Sequence, residues 1–216
     1  MKVVIIGGHG KVAMHLAGLL ADRGDQVTSW VRNPDHVDEV AATGATPAVV
    51  DVELCDVDEM AGLLAGRDAV VWSAGAGGGD PTRTAAVDRD AAIRSIDAAA
   101  AAGVRRYVMV SYFGARPDHG VPADHSFHAY AEAKAAADEH LRSSGLDWTV
   151  LGPSGLTDDP GTGRIESGGG VSPGQVPRAD VAAVAAAVLA APATIGRTIE
   201  FNSGDVPIDR AIAVAT

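Results

Sequence analysis

Tyr130 and Lys134 stand four residues apart in the alanine-rich run AYAEAKAAADEHLRSSG. That spacing puts both side chains on one face of a helix. An ammonium close to a phenol stabilises the phenolate and lowers its pKa toward working pH. Such a tyrosine can give a proton to a carbonyl oxygen as hydride arrives, or take one in reverse, and the lysine can also hold a ribose. The pair also arises by chance on exposed helices, so its meaning depends on its surroundings. A second group lies at the other end of the chain. Lys2–Ile6 is a short Val/Ile run, Gly7, Gly8 and Gly10 follow at once, and Val12, His15, Leu16, Leu19 and Leu20 then recur at helical spacing. A buried strand, a glycine turn and a helix N-terminus make an anion-binding device. The missing Cβ atoms admit a pyrophosphate, and the free N–H groups of the first helical turn point at it. Gly7, Gly8, His9, Gly10, Lys11 and Val12 therefore read as the phosphate turn of a dinucleotide site.

The strands that follow must carry the rest of such a ligand. Gln26–Val31 reads as the second strand, after a helix ended by Gly24. An NAD-type site places an acid about 20 residues past the glycines to hold the ribose hydroxyls. Residues 28–33, TSWVRN, contain none and present Arg32 beside Asn33. A guanidinium matches a 2′-phosphate in charge and geometry, so NADP(H) is expected over NAD(H). Residues 46–50 read as the third strand, with Asp51 and Val52 at its C-terminal end. There Asp51 can accept from the adenine amino group, cap the next turn, or do both, while Val52 packs near the ring. A capping box, Asp56 with Glu59, opens the following helix. Cys55 reads as a small buried hydrophobe, because no histidine or cation stands beside it.

Residues 68–72 read as the fourth strand, running into Ser73, Ala74 and Gly75, where small side chains let a cofactor lie across the backbone. The glycines through 79 read as a mobile loop that orders on binding. Residues 84–102 read as one long helix with Asp88 in its first turns, ended by Gly103. The fifth strand, Arg106–Val110, brings Ser111 to the strand ends where catalytic groups cluster. The irregular stretch 113–127 reads as a substrate cover. It carries His119 and His125, with His128 just beyond. No metal site is expected there, since the spacing fits no standard set and no cysteine or paired carboxylate joins them. Residues 148–151 read as the sixth strand, whose following turn (Pro153, Ser154, Leu156) can meet the nicotinamide. Residues 161–174 read as a glycine-rich hairpin or flap, 177–191 as a helix with Asp180 in its first turn, and 198–202 as a last strand. The tail, 206–216, has too little pattern to assign.

The expected architecture is α/β: a Rossmann-type, doubly wound, mostly parallel sheet with helices on both faces and a small C-terminal lobe. One domain spans 1–216, with a substrate-side lobe at roughly 152–216. With 17 basic and 28 acidic side chains the net charge is −11, which disfavours nucleic acid and anionic membranes as partners. A single cysteine permits no internal disulfide. The chain starts directly in its first strand, no run reaches membrane-spanning length, and a cytoplasmic location is expected. The expected partner is a small-molecule substrate, with the chain a monomer or homodimer.

Together GGHGKVA, WVRNP, WSAG, GVRRYVMVS, YAEAK, SGLDWTVLGPSGLTD and PRADVA resemble an atypical short-chain dehydrogenase/reductase of the small NAD(P)H-binding type. That group includes NmrA-like sensors and biliverdin/flavin-reductase-like proteins. The resemblance covers most of the chain and implies a Rossmann fold with cofactor across the strand ends, and NADP(H) where an arginine follows the second strand. By the same resemblance Gly7, Gly10, Arg32, Asp51, Ser73, Ser111, Tyr130, Lys134 and Pro153 match cofactor or catalytic positions. Two departures stand out. Relatives commonly carry Arg-Pro-Gly after the sixth strand, where this chain has Gly152 and Ser154 around Pro153. The serine partner of Tyr130 is either Ser111, 19 residues upstream, or Ser126. The expected function is NADP(H)-dependent reduction of a small carbonyl, quinone-like or ring-containing substrate. Tyr130 is the acid/base, Lys134 its tuner and Ser111 the group that positions the substrate oxygen. A non-catalytic NADP(H) sensor and an epimerase or dehydratase are the alternatives.

Overall fold

The computed structural model describes residues 1–77, 80–168 and 170–214. The expected mobile loop and flap fall partly on Gly78, Gly79 and Gly169, and the tail partly on Ala215 and Thr216; these five lie outside the described residues. The chain opens with β1 (Lys2–Ile6), α1 (Lys11–Asp22), β2 (Gln26–Val31), α2 (Val37–Ala41) and β3 (Thr46–Val49). Next come α3 (Val57–Leu64), β4 (Ala69–Trp72), α4 (Pro81–Thr84), α5 (Ala92–Ala101), β5 (Arg106–Val110) and α6 (His128–Ser143). The C-terminal part holds β6 (Asp147–Pro153), β7 (Gly155–Thr157), β8 (Arg164–Ser167), β9 (Gln175–Pro177), α7 (Arg178–Leu189), β10 (Arg197–Ser203), β11 (Val206–Pro207) and α8 (Ile208–Val214).

These strands form a nine-stranded sheet in the order β11-β8-β10-β6-β5-β4-β1-β2-β3, parallel from β10 to β3, with β8 antiparallel to both β10 and β11 at one edge. β1 lies between β2 and β4, pairing Ile6 with Trp30 on one side and Trp72 on the other. Val3, Val4, Ile5 and Ile6 are fully buried, as a strand covered on both faces requires. Chain order reverses beside β1, between β2 and β4, so the crevice at its C-terminal end is where a doubly wound sheet binds ligands.

Two apolar layers sandwich the sheet. Leu16 and Leu20 of α1 pack with Val181, Val184 and Val188 of α7 on one face. Met60 and Leu64 of α3 pack with Ile96 of α5 and Leu141 of α6 on the other. Each such side chain contributes about 1.5–3 kcal/mol on full burial. The Asp56–Glu59 capping box forms as expected, at 2.8 and 3.0 Å.

The structure differs from the sequence reading in five places. The helix expected over 84–102 begins at Pro81, because Asp80 accepts the Thr82 N–H at 2.9 Å and caps it. Its middle, Ala85–Ala91, is wound as a π-helix before α5 resumes. Residues 161–174 do not pair as a hairpin: β8 pairs with β10 and β11, and the separate β9 pairs with β7. The tail does form structure, β11 and α8, because Ile208, Ala211 and Ile212 bury against α7. Finally, α2 and the 3-10 turn Pro34–His36 went unforeseen, being too short for periodicity to register.

Candidate functional site

A cavity of about 360 Å³ opens along the C-terminal ends of β1, β2, β3 and β4. Gly7, His9 and Gly10 form one end, Arg32, Asn33, Asp51 and Val52 the other, and Ser73, Ala74 and Gly75 one wall. Gly7 has φ +85°, and a Cβ there would lie 2.5 Å from the Ala74 Cα, so only glycine lets the turn pass the end of β4. Gly10, which lines the cavity, caps α1 with no side-chain hydrogen bond, leaving the first-turn N–H groups uncapped. An uncapped helix start beside a glycine cradle suits a pyrophosphate, and the donor set therefore fits a dinucleotide.

The side chains at the far end are charged and half-exposed. Arg32 Nη1 donates to Glu53 Oε1 at 2.9 Å, and Arg83 reaches the same oxygen at 3.4 Å. Asp51 accepts the Glu53 N–H at 3.0 Å, so it caps its turn while still lining the cavity. His9 stacks on His36, ring centroids 3.5 Å apart, and its Nε2 meets Glu39 at 2.9 Å.

Tyr130, from the first turn of α6, borders two further cavities, of about 280 and 390 Å³. Asp88, Ser126 and Phe127 line the smaller one; Ser111, Tyr112, Phe113, Phe127, Pro153, Ser154 and Leu156 line the larger. Tyr130 and Phe127 stand 5.1 Å apart between ring centroids, Tyr130 and Tyr112 5.6 Å. Beneath them lies a buried set of charges: Lys134, Asp138 one helical turn later, and Asp88 from the π turn. Lys134 Nζ donates to the Val110 carbonyl at 3.0 Å, with the Met109 sulfur at 3.2 Å. The Ser111 hydroxyl donates to Asp138 Oδ2, leaving Oδ1 without a partner among the described residues. Asp88 Oδ2 accepts the Ala76 N–H at 2.9 Å.

Burial sets the titration here. It pushes the Asp88 and Asp138 carboxyls above the usual carboxylate range, with Lys134 pulling both back, and it pulls the Lys134 ammonium down. It also pushes the Tyr130 phenol well above its ordinary value, and Asp88 and Asp138 push it further. This runs against the expectation that Lys134 lowers the phenol: the ammonium donates to the Val110 carbonyl, and desolvation of the phenolate wins. Cys55 is likewise pushed up, by burial and then by Glu59 and Asp51.

The residues singled out in the sequence thus separate into groups. Gly7, His9, Gly10, Arg32, Asn33, Asp51, Val52, Ser73, Ala74 and Gly75 share one cavity; Ser111, Tyr130, Pro153, Ser154 and Leu156 share another. Gly8 instead backs onto β2, where a Cβ would meet that of Ser29 at 2.6 Å, and Val12 sinks into the core. Lys11 reaches across to Asp158, which also pairs with Arg178. Gly152, the departure after β6, leaves space taken by Glu200, whose carboxylate accepts the Gly114 N–H at 2.8 Å.

Sequence reasoning missed Glu53, Arg83, Asp88 and Asp138. It also grouped the histidines differently. His119, His128 and Glu132 come together, while His125 caps Phe127. His119 Nδ1 accepts the Val121 N–H at 3.0 Å, so its ring proton sits on Nε2 and goes to Glu132 at 2.8 Å. A cation on that nitrogen would need an imidazolate, so the cluster reads as a strut between loop and helix.

The model of the NAD(P)H-binding family matches residues 7–192. YhfK of Bacillus subtilis, described as an uncharacterised sugar epimerase, is 34% identical over 214 residues, 98% of this chain and 99% of its own. A Bacillus halodurans structure, described as a candidate NAD-dependent epimerase/dehydratase, superposes with a TM-score of 0.90 at 32% identity over 98% of both chains. The oxidoreductase ylbE of Lactococcus lactis does so at 0.87 with 28% identity, over 98% of this chain and 95% of that one. Among the described residues no helix is long and apolar enough to cross a membrane.

Proposed function

The chain belongs to the NAD(P)H-binding family, and on that premise we propose that it is an NADP(H)-dependent oxidoreductase reducing a small carbonyl, quinone-like or ring-containing substrate. The observation that carries this reading is the position of Tyr130, a protonated phenol on the shared wall of two cavities at the strand ends. A bound nicotinamide dinucleotide would supply the hydride. Gly7, Gly10 and the start of α1 would hold its pyrophosphate, Asp51 and Val52 its adenine, and Arg32 with Asn33 its 2′-phosphate. The turn Pro153–Leu156 would border the nicotinamide. One domain, 1–216, carries all of these groups, with the segment 152–216 on the substrate side.

Tyr130 gives its proton to the substrate oxygen. Its raised pKa keeps that proton in place across neutral pH. Ser111 holds the same oxygen. Its hydroxyl is held at the strand end by Asp138 Oδ2, to which it donates. Tyr112, Phe113 and Phe127 make an aromatic wall, and among the described residues no charged side chain lines that cavity, which suits a flat neutral ring.

Epimerisation or dehydration with retained cofactor is the second reading, favoured by the descriptions of two relatives. A screen of quinones, aldehydes and ketones following NADPH oxidation, with wild type and Tyr130→Phe, separates the readings. Turnover that falls about 10²- to 10⁴-fold in the variant, with NADPH affinity held within about twofold, is the expected result. Full activity in the variant removes Tyr130 from the mechanism. Nucleotide binding with no oxidation of NADPH by any substrate points to a sensor, and sugar conversion without net oxidation to the epimerase.

A further inference from the structure

Glu53 stands where no acid was expected. It follows the Asp51–Val52 turn, yet its carboxylate folds back into the dinucleotide cavity and shares Oε1 between Arg32 at 2.9 Å and Arg83 at 3.4 Å. Its backbone is fastened from two sides. Asp51 accepts its N–H, and the buried-side guanidinium of Arg94, from α5, clamps the carbonyls of Val52 (2.9 Å), Glu53 (3.3 Å) and Cys55 (3.1 Å). The loop therefore cannot swing the carboxylate away; only side-chain rotation can. Arg83 is fastened too, its Nη1 donating to the Ala76 carbonyl at 2.9 Å.

Two guanidiniums around one carboxylate leave about one positive charge for an incoming ligand, where two would otherwise be offered. A phosphate monoester carries about −1.5 to −2 charge at neutral pH and seeks the same N–H groups. A ribose hydroxyl carries none and meets no such repulsion.

We infer that Glu53 works against the 2′-phosphate: its carboxylate is a built-in competitor for Arg32 and Arg83 that weakens NADPH binding and leaves NADH binding nearly untouched. This rests on the reading that Arg32 receives the 2′-phosphate. Glu53 thereby sets how strongly the chain discriminates between the two nucleotides, and with it how well the chain tolerates NADH when NADPH is scarce.

Calorimetric titration with NADPH and with NADH tests this on wild type, Glu53→Gln, Glu53→Asp, Arg32→Ala and the double variant Arg32→Ala/Glu53→Gln. Glu53→Gln keeps the shape and removes the charge. NADPH should bind it about tenfold more tightly and NADH within about twofold of wild type, with the gain shrinking as salt rises. Glu53→Asp, still charged, should stay near wild type, and the double variant should lose most of the gain. Weaker NADH binding by Glu53→Gln would make Glu53 a ribose ligand and overturn the inference. Weaker binding of both nucleotides would make it a wall of the cavity, and unchanged binding of both would leave it no role; either overturns the inference as well. Failure of the underlying reading looks different. Arg32→Ala would then leave NADPH affinity unchanged, while a gain from Glu53→Gln would still show repulsion acting through Arg83.

Discussion

The cavity lined by Arg32 and Glu53 and the one bordered by Tyr130 have the same kinds of groups nearby, cations close to carboxylates, at opposite burial. Arg32 and Arg83 keep 52% and 36% of their side-chain surface exposed, while Lys134 and Asp138 keep 1% and 0%. Water and salt screen the first set, so its pairs contribute about 0–1 kcal/mol each and can exchange partners when a ligand arrives. The second set is sealed. Its pairs cannot exchange with solvent, and what burial changes there is the protonation of Tyr130, Asp88 and Asp138 and the stability of the fold. On the proposed reading, one end selects the nucleotide and the other holds the proton.

The largest test of that contrast is Lys134→Met, which leaves two buried carboxylates without their cation and should cost about 3–5 kcal/mol in urea unfolding. The sign with pH follows from the shifts. A carboxyl whose folded pKa exceeds its unfolded value adds stability below the unfolded pKa that is lost as pH rises through the folded one. Asp88 and Asp138 are both of this kind. Without Lys134 their pKa values rise further, so stability should fall more steeply from about pH 4 to about pH 8 than in wild type. An unchanged slope would mean the three groups do not interact.

Next in size is Gly7→Ala, which attacks the glycine end of the first cavity through shape alone. Its φ of +85° and its contact with Ala74 should cost about 1–3 kcal/mol and weaken either nucleotide more than tenfold in calorimetry. A neutral result would show that β4 can retreat. Proton delivery gives a smaller effect. Because Tyr130 stays protonated, reductive turnover should vary less than about threefold between about pH 6 and about pH 8, whereas a lowered phenol would give a falling limb there. Smallest is Cys55, half-buried with its thiol pushed up: iodoacetamide should label it more slowly than a free thiol, and Cys55→Ala should bind NADPH within about twofold of wild type.

Much of the frame was legible. The boundaries of β1, β2 and β5 follow from apolar runs closed by glycine or polar residues, and the Asp56–Glu59 box from its spacing. The π turn was not, because one extra residue per turn leaves no trace in an alanine-rich pattern, and it is this turn that carries Asp88 into the core. Glu53 was hidden because it lies past β3, outside the window where a ribose-binding acid is sought, and reaches the cavity only by folding back. Asp138 did carry a signal, four residues after Lys134 on the same helix face, but its burial depends on Ser111 and β5 across the sheet. Spacing tells which groups can meet; it does not tell how dry the meeting place is, and at Tyr130 dryness decides the pKa.

The most direct measurement is calorimetric titration of the purified chain with NADPH and NADH, wild type against Arg32→Ala. One-to-one binding with NADPH preferred about tenfold or more, and a preference that disappears in the variant, is the expected result. Equal affinity for the two nucleotides, or binding of neither, would contradict the assignment of NADP(H) to this row of cavities.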